Sequence, residues 1–338
     1  MKPFLFDCGS LFYHRYTIRI VSKEKTVFDA WPGVVIRNNL LYAADKIMIP
    51  DTHNSLRQFI DQLPLSESHP FFKKLQDGFS RGYKINIPDI PINNQDILMK
   101  KGSVFSFSLI LIGSMNRYCS YFFDAIRKMC ENGLGHPKVP FSLIEIEEKS
   151  PKNESRIMAT GTMNLTDTPL YPVRFADFLS IQAQSKERKI QIVYETPMNL
   201  IKPKRKKDYQ LSYQDKCNLF PGFYQLVRSA AYRLEKLCSL YVFPEEGEKA
   251  VKLRETVETY LENAGLPTLY SADIQHIQLK NTLKKEQINN KPLTGYIGKL
   301  VFEGYFNKYL PLLKFMEELG VGNDLVYGLG KYSVEIGE

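Results

Sequence analysis

The sequence has few of the residues that staple a chain or ligate a metal. Five cysteines stand in 338 residues, at Cys8, Cys119, Cys130, Cys217 and Cys238. The number is odd and no two form a Cys-x-x-Cys pair, so neither a disulfide framework nor a zinc site is expected. The five histidines, His14, His53, His69, His136 and His276, form no HExxH pattern, and no metal and no cofactor are expected. No apolar run approaches the ~20 residues of a membrane span. Near the start, Asp7 and then His14-Arg15 break the apolar segment that a signal peptide needs. A cytoplasmic protein without membrane contact is the expectation.

What is present describes a globular chain, with 43% hydrophobic and 24% charged residues. Its length is comfortable for two domains. The formal net charge of +8 favours a polyanionic partner.

The chain is organised around its end, where GVGNDLVYGLG spans Gly320 to Gly330. Before it lies an apolar segment at helical spacing (Phe306, Tyr309, Leu310, Leu313, Met316, Leu319), and after it a short strand from Lys331 to Ile336. Pro311 fits only a first turn, so this helix starts no earlier than Asn307. The loop does not fit a nucleotide fingerprint, which follows a strand and opens a helix; here it follows a helix and opens a strand. Nor does Gly330-Lys331-Tyr332 supply the Lys-Ser or Lys-Thr of a phosphate-binding loop. A helix C-cap explains Gly133 or Gly320 alone. Four glycines, Gly320, Gly322, Gly328 and Gly330, point instead to close backbone approach or several positive-φ positions. One reading is that their main-chain N–H groups bind an anion.

The same order occurs earlier. Ser103 to Gly113 is a β-rich run, Met115 to Cys130 carries an amphipathic helical pattern, Gly133-Leu134-Gly135 follows, and a strand ends at IEIEE. Setting Ile144-Glu145-Ile146 against Val334-Glu335-Ile336 brings the two glycine loops close to register, as in an internal duplication. Elsewhere, residues 11–21 read as a strand, Val34 to Ile47 as a helix, Arg57 to Leu63 as a short helix capped by Asp51 or Asn54, and Tyr83 to Ile87 as a strand. Glu148 to Ser155 is polar and reads as a linker. Ile190 to Glu195 is a strand, Phe223 to Tyr241 and Lys249 to Asn263 are helices, and Gln275 to Leu283 is a strand. The order β, α, β, β, α, β is thus written twice, which is that of a ferredoxin-like domain. The fold expected is α+β with two tandem ferredoxin-like domains, at 1–148 and 187–338, joined by a linker or strap over 149–186.

The repeated unit with its terminal glycine loop resembles the RAMP superfamily of CRISPR-associated RNA-binding proteins, and more narrowly the endoribonuclease that processes CRISPR repeat transcripts. PGVVIRNNLLYAA (Pro32 to Ala44), FSFSLILIG with its helix and GLG, YETPMNLIKP (Tyr194 to Pro203) and FYQLVRSAAYRL (Phe223 to Leu234) resemble successive parts of that family, in its order. The resemblance implies two RAMP/RRM-like domains and a metal-independent cut by the RNA's own 2′-hydroxyl, leaving a 2′,3′-cyclic phosphate. It implies precursor CRISPR RNA as the partner. A non-catalytic RNA-binding subunit, partnered by other subunits of a CRISPR effector complex, is the alternative, and a ferredoxin-like protein unrelated to RNA is a third.

Such a cut needs a base, an acid and a cation. The family often carries a histidine on its first helix. Here that helix has Tyr42 and Lys46 but no histidine, so the nearest, His53, becomes the catalytic candidate, with His14 next and His69 and His136 read as loop residues. For RNA contact the candidates are the main-chain N–H groups of Gly320, Gly322, Gly328 and Gly330 with Lys331 beside them, and the basic run Lys202 to Lys207, including Lys204, Arg205 and Lys206, with Tyr209 and Tyr213 after it. A solvated loop is the plain alternative for the run. Arg228 and Arg233 fall off the apolar stripe of their helix and read as surface residues, which the resemblance makes further RNA candidates.

Overall fold

A computed structural model describes residues 3–29, 31–50, 54–62, 72, 80–87, 92, 96–150, 152, 154–182, 189–200, 222–262, 267–279 and 293–336. The chain opens with a one-turn helix, α1 (Pro3–Asp7), then β1 (Phe12–Ser22), β2 (Thr26–Phe28) and α2 (Pro32–Ala44). Pro32 sits in the first turn of α2, where its missing N–H costs nothing. A two-residue pair, β3 (Met48–Ile49) with β4 (Asn54–Ser55), precedes α3 (Leu56–Asp61). Then come β5 (Tyr83–Asn86), β6 (Ile97–Met99), β7 (Val104–Ile112), α4 (Cys119–Asn132), β8 (Phe141–Lys149), β9 (Ser155–Thr160) and β10 (Val173–Arg174).

Strands β5, β7, β1, β8 and β9 lie side by side in that order, all antiparallel. Without β9, this is the strand order produced by β-α-β-β-α-β winding. β1 alternates in burial, with Tyr16, Ile18 and Ile20 fully inside. Phe123 of α4 meets the Tyr16 ring edge-on at 5.2 Å.

The second half repeats the scheme with β11 (Lys189–Met198), α5 (Phe223–Tyr241), an added α6 (Gly247–Glu262), β12 (Thr268–Leu279), β13 (Leu293–Glu303), α7 (Leu310–Leu319) and β14 (Tyr332–Ile336). Its sheet runs β12, β13, β11, β14, again antiparallel throughout. The protein is therefore α+β, with two ferredoxin-like units in tandem. The duplication is visible in register. Ile146 of β8 pairs with Ile18, and Val334 of β14 pairs with Ile192, so each last strand lies beside its unit's first. Gly133 and Gly320 each end a helix at positive φ, 85° and 69°. Their N–H groups donate to Cys130 and Met316 carbonyls, as helix C-terminal glycines do.

Three local expectations change. α3 is capped by Ser55 and not by Asn54, while Asp51 lies outside the described residues. Ser55 Oγ accepts from Gln58 N at 3.2 Å while Gln58 Oε1 accepts from Ser55 N at 2.9 Å, a reciprocal box that satisfies two orphan donors. The polar stretch Glu148 to Ser155, read as a linker, is the turn of a hairpin: β9 pairs with β8 and extends the first sheet. Ser150 Oγ holds that turn by accepting from Lys152 N and Glu154 N. β12 starts at Thr268, before the expected Gln275, and carries a register shift between Leu269 and Ser271.

The two units are packed together along α7. Its Phe315 is fully buried against Tyr13 of β1 and against Phe175 and Phe178, ring centroids 5.5, 4.9 and 5.4 Å away. α1 crosses to the second unit, where Phe4 meets Tyr260 of α6 at 5.4 Å.

Candidate functional site

The glycine loop lies against the first unit, and several of its N–H groups have protein partners. Val321 N donates to Gly330 O at 3.0 Å, Asn323 N to Asn199 O at 3.0 Å, Gly328 N to Leu325 O at 3.0 Å and Gly330 N to Pro197 O at 3.1 Å. Lys331 N donates to Thr196 Oγ1 at 2.8 Å. The glycines are there for backbone contact. A Cβ on Gly320 would lie 2.8 Å from Gly330 O, one on Gly328 3.0 Å from Ile85 O, and one on Gly322 or Gly330 would overlap the Asn199 or Val321 carbonyl oxygen. All four have positive φ. The N–H groups of Gly320, Gly328 and Gly330 are thus committed within the fold and not offered to an anion.

The loop instead holds α2. Trp31 Nε1 donates to Tyr327 O at 2.7 Å. Gly33 permits the same carbonyl to approach the start of α2, where a Cβ would overlap it. Arg37 donates to Tyr327 Oη at 3.2 Å and lies 4.9 Å from the centre of its ring. One turn further along α2, Tyr42 stands out, 52% exposed. Two ammonium groups flank its ring, Lys46 at 4.8 Å and Lys138 at 5.9 Å. Lys138 also donates to Asn39 Oδ1 at 3.0 Å. Tyr42 and Lys46 are brought together, although Lys46 lies in the turn after α2 and not within the helix as expected. Lys138 was missed, because it sits in the first glycine loop, far from α2 in sequence. An exposed phenol between two cations can meet a phosphodiester with a hydrogen bond and with charge.

A polar clasp at the C-terminus of α7 fixes the loop's starting point. Lys84 of β5, fully buried, donates to Glu318 O at 3.0 Å. Asn86 and Arg15 reach the Glu318 carboxylate, each at 3.2 Å. Arg233 donates to Leu319 O at 3.3 Å. Cations here meet the negative end of the helix. Burial pushes the Lys84 amine down to about 7 and the Arg233 guanidinium down to about 10.

Arg233 is therefore a buried clasp residue, which corrects its surface reading; α5 buries more than one face because α6 and α7 both pack on it. Arg228 is half-buried, 4.9 Å from the Tyr232 ring. Lys331 pairs with Glu195 at 2.6 Å. His53 and the run with Lys204, Arg205 and Lys206 lie outside the described residues, as do His69, Tyr209 and Tyr213. His14 is buried, its Nδ1 2.6 Å from Glu148 Oε1. That carboxylate also accepts from Leu170 N and Tyr171 N, at 3.0 and 2.9 Å. His14 thus serves to tie β1, β8 and the following strap. His136 is exposed, in the same loop as Lys138.

Two family models divide the chain. Residues 11–170 match one described as an N-terminal domain, and residues 192–332 match that of the CRISPR-associated endoribonuclease Cas6. No curated protein matches the chain. Among solved structures, a partial Cas6-RT-Cas1–Cas2 complex aligns with TM-score 0.56 and 14% identity over 97% of this chain and 47% of that one; the protein spans about half that relative's length. A Cas6 product complex aligns with TM-score 0.51 and 11% identity, over 96% of this chain and 99% of the other. At these identities the likeness is one of fold.

Proposed function

We propose, from the match of residues 192–332 to the family of the CRISPR-associated endoribonuclease Cas6, that the protein binds precursor CRISPR RNA and cuts it within the repeat. The observation that carries this reading is Tyr42, exposed between Lys46 and Lys138 on the helix that the glycine loop holds.

The 2′-hydroxyl of the nucleotide before the cut loses its proton to a base and attacks the adjacent phosphorus. The bond from phosphorus to the 5′-oxygen breaks, and an acid returns a proton to that oxygen. The products are a 2′,3′-cyclic phosphate and a 5′-hydroxyl. His53, which follows α2 in the sequence, is the proposed proton carrier, since an ordinary histidine titrates near pH 6.5. Lys46 and Lys138 offset the charge that builds on the non-bridging oxygens, and Tyr42 orients the phosphate through its hydroxyl.

Incubation of the wild type with repeat RNA in EDTA should give one cut and a 2′,3′-cyclic end. A single 2′-deoxy substitution before the cut should stop cleavage and leave binding intact. His53→Ala should slow cleavage by about 10²–10⁴, with smaller losses for Tyr42→Phe and Lys46→Ala. One observation favours a second reading, a non-catalytic RNA-binding subunit of an effector complex: α2 bears no histidine. Tight binding of repeat RNA with no cleavage would decide for that reading.

A further inference from the structure

Three turns meet at one end of the first sheet. β1 ends at Ser22, which pairs with Phe141, the first residue of β8, while its neighbour Val21 pairs with Val104, the first residue of β7. The turn after β1 is tied to the one before β7, Ser22 N donating to Ser103 O at 3.0 Å and Gly102 N to Ser22 O at 2.8 Å. It is tied equally to the first glycine loop, Lys23 N donating to Pro140 O at 3.1 Å and His136 N to Val27 O at 2.8 Å.

The three turns, residues 22–25, 100–103 and 133–140, carry Lys23, Lys25, Lys100, Lys101 and Lys138, every one exposed, against a single carboxylate, Glu24. Elsewhere on this sheet Arg19 is paired with Glu145 and Lys149 with Glu147. Among the described residues none of the five lysines is in an ion pair. Turns that converge by backbone bonding hold their lysines at fixed spacing on one end of the molecule, which suits a repeating line of negative charge. The patch is continuous with the candidate site, because Lys138 belongs to it and also flanks Tyr42.

We propose that this lysine-bearing end of the first unit is an RNA-binding surface of its own, which holds the phosphate backbone of the single-stranded flank leading away from Tyr42. The inference rests on the functional reading above. The contact is with phosphates, so it supplies affinity and direction and carries no sequence information. It fixes the path of the strand on one side of the cut, and so which side of the repeat must stay unpaired.

The test uses the full chain with three exposed lysines replaced, Lys23→Ala/Lys25→Ala/Lys101→Ala, none of which lies at Tyr42. The probe is fluorescently labelled repeat RNA with a 2′-deoxy nucleotide before the cut, carrying a uridine flank on its 5′ side, its 3′ side, both or neither. Each phosphate left without its lysine should flatten the log-log salt dependence by about 0.7, so the triple variant should lose about 2 from the slope. Its melting temperature should match the wild type, and so should its single-turnover cleavage rate on saturating repeat RNA that keeps the 2′-hydroxyl before the cut. Removing the correct flank from the probe should mimic the variant, and the variant should lose nothing further on that shortened RNA. An unchanged slope on fully flanked RNA, or equal loss on every probe whatever its flanks, overturns the proposal. A wild type that binds none of the probes overturns the functional reading itself.

Discussion

At the residue scale, Lys84 shows what burial does to a charge that the fold nevertheless uses. Its amine is enclosed by β5 and the end of α7, donating to Glu318 O, and desolvation lowers its titration to about 7 from the usual 10.5. Between those values the unfolded chain holds a proton that the folded chain has released. Stability from this group therefore rises with pH up to the unfolded value and is lost as pH falls towards 7. Urea unfolding of the wild type and of Lys84→Met, followed from pH 7 to pH 10, should show the wild type gaining stability relative to the variant across that window. Parallel curves would mean that Lys84 does not titrate there. Sequence patterning cannot find such a residue. A lysine in a four-residue strand reads as an outward position, and only the arrival of α7 from the other unit closes it in. The same holds for Arg233, which stands off the apolar stripe of α5 yet lies against the last carbonyls of α7.

At the element scale, the glycine loop was legible as the organising feature, and the geometry turns the N–H groups of Gly320, Gly328 and Gly330 inward to backbone carbonyls. Each of its glycines admits a neighbouring backbone oxygen or a bent chain path, and the loop thereby clamps α2 through Trp31, Gly33 and Arg37. A sequence can reveal that glycine is needed without revealing what approaches it. Two substitutions separate strain from contact. Gly102 has φ of 81° but nothing within 4 Å of its would-be Cβ, so Gly102→Ala should cost only the left-handed strain, ~1–2 kcal/mol. Gly330 has φ of 69° and a Cβ there would overlap the Val321 carbonyl. Gly330→Ala should add ~1–3 kcal/mol of overpacking to the same strain. Equal losses in denaturant unfolding would show that the loop yields freely. The helices Phe223–Tyr241 and Leu310–Leu319 were readable because their apolar spacing is long and Gly222, Pro311 and Gly320 punctuate them. The β8–β9 hairpin was not, because Ser150 and its polar neighbours look the same in a tight turn as in a linker.

At the scale of the whole molecule, two similar units act as one because an element of each serves the other. α7 packs in the second unit, yet Phe315 inserts among Tyr13, Phe175 and Phe178 of the first. Five residues on, the Gly320 loop begins and reaches α2. The position of Tyr42 relative to the second unit thus depends on the Phe315 anchor, the clasp at Glu318 and the Tyr327 contact, taken in sequence along one stretch of chain, beside the Phe4–Tyr260 contact made by α1. Removing the anchor should separate the units before it unfolds either. Phe315→Ala deletes a fully buried ring and should cost about 3–5 kcal/mol. Because that ring joins two sheets that each close their own hydrogen bonding, the loss should fall on the coupling between them. Calorimetry of the wild type should give a single transition whose van't Hoff and calorimetric enthalpies agree, and Phe315→Ala should give two. The proposed cleavage should then slow at saturating RNA in the variant, while the proposed lysine-bearing end of the first unit keeps its salt-dependent hold on the flank. A single, merely cooler transition in Phe315→Ala would count against this coupling and assign the ring to the core of one unit.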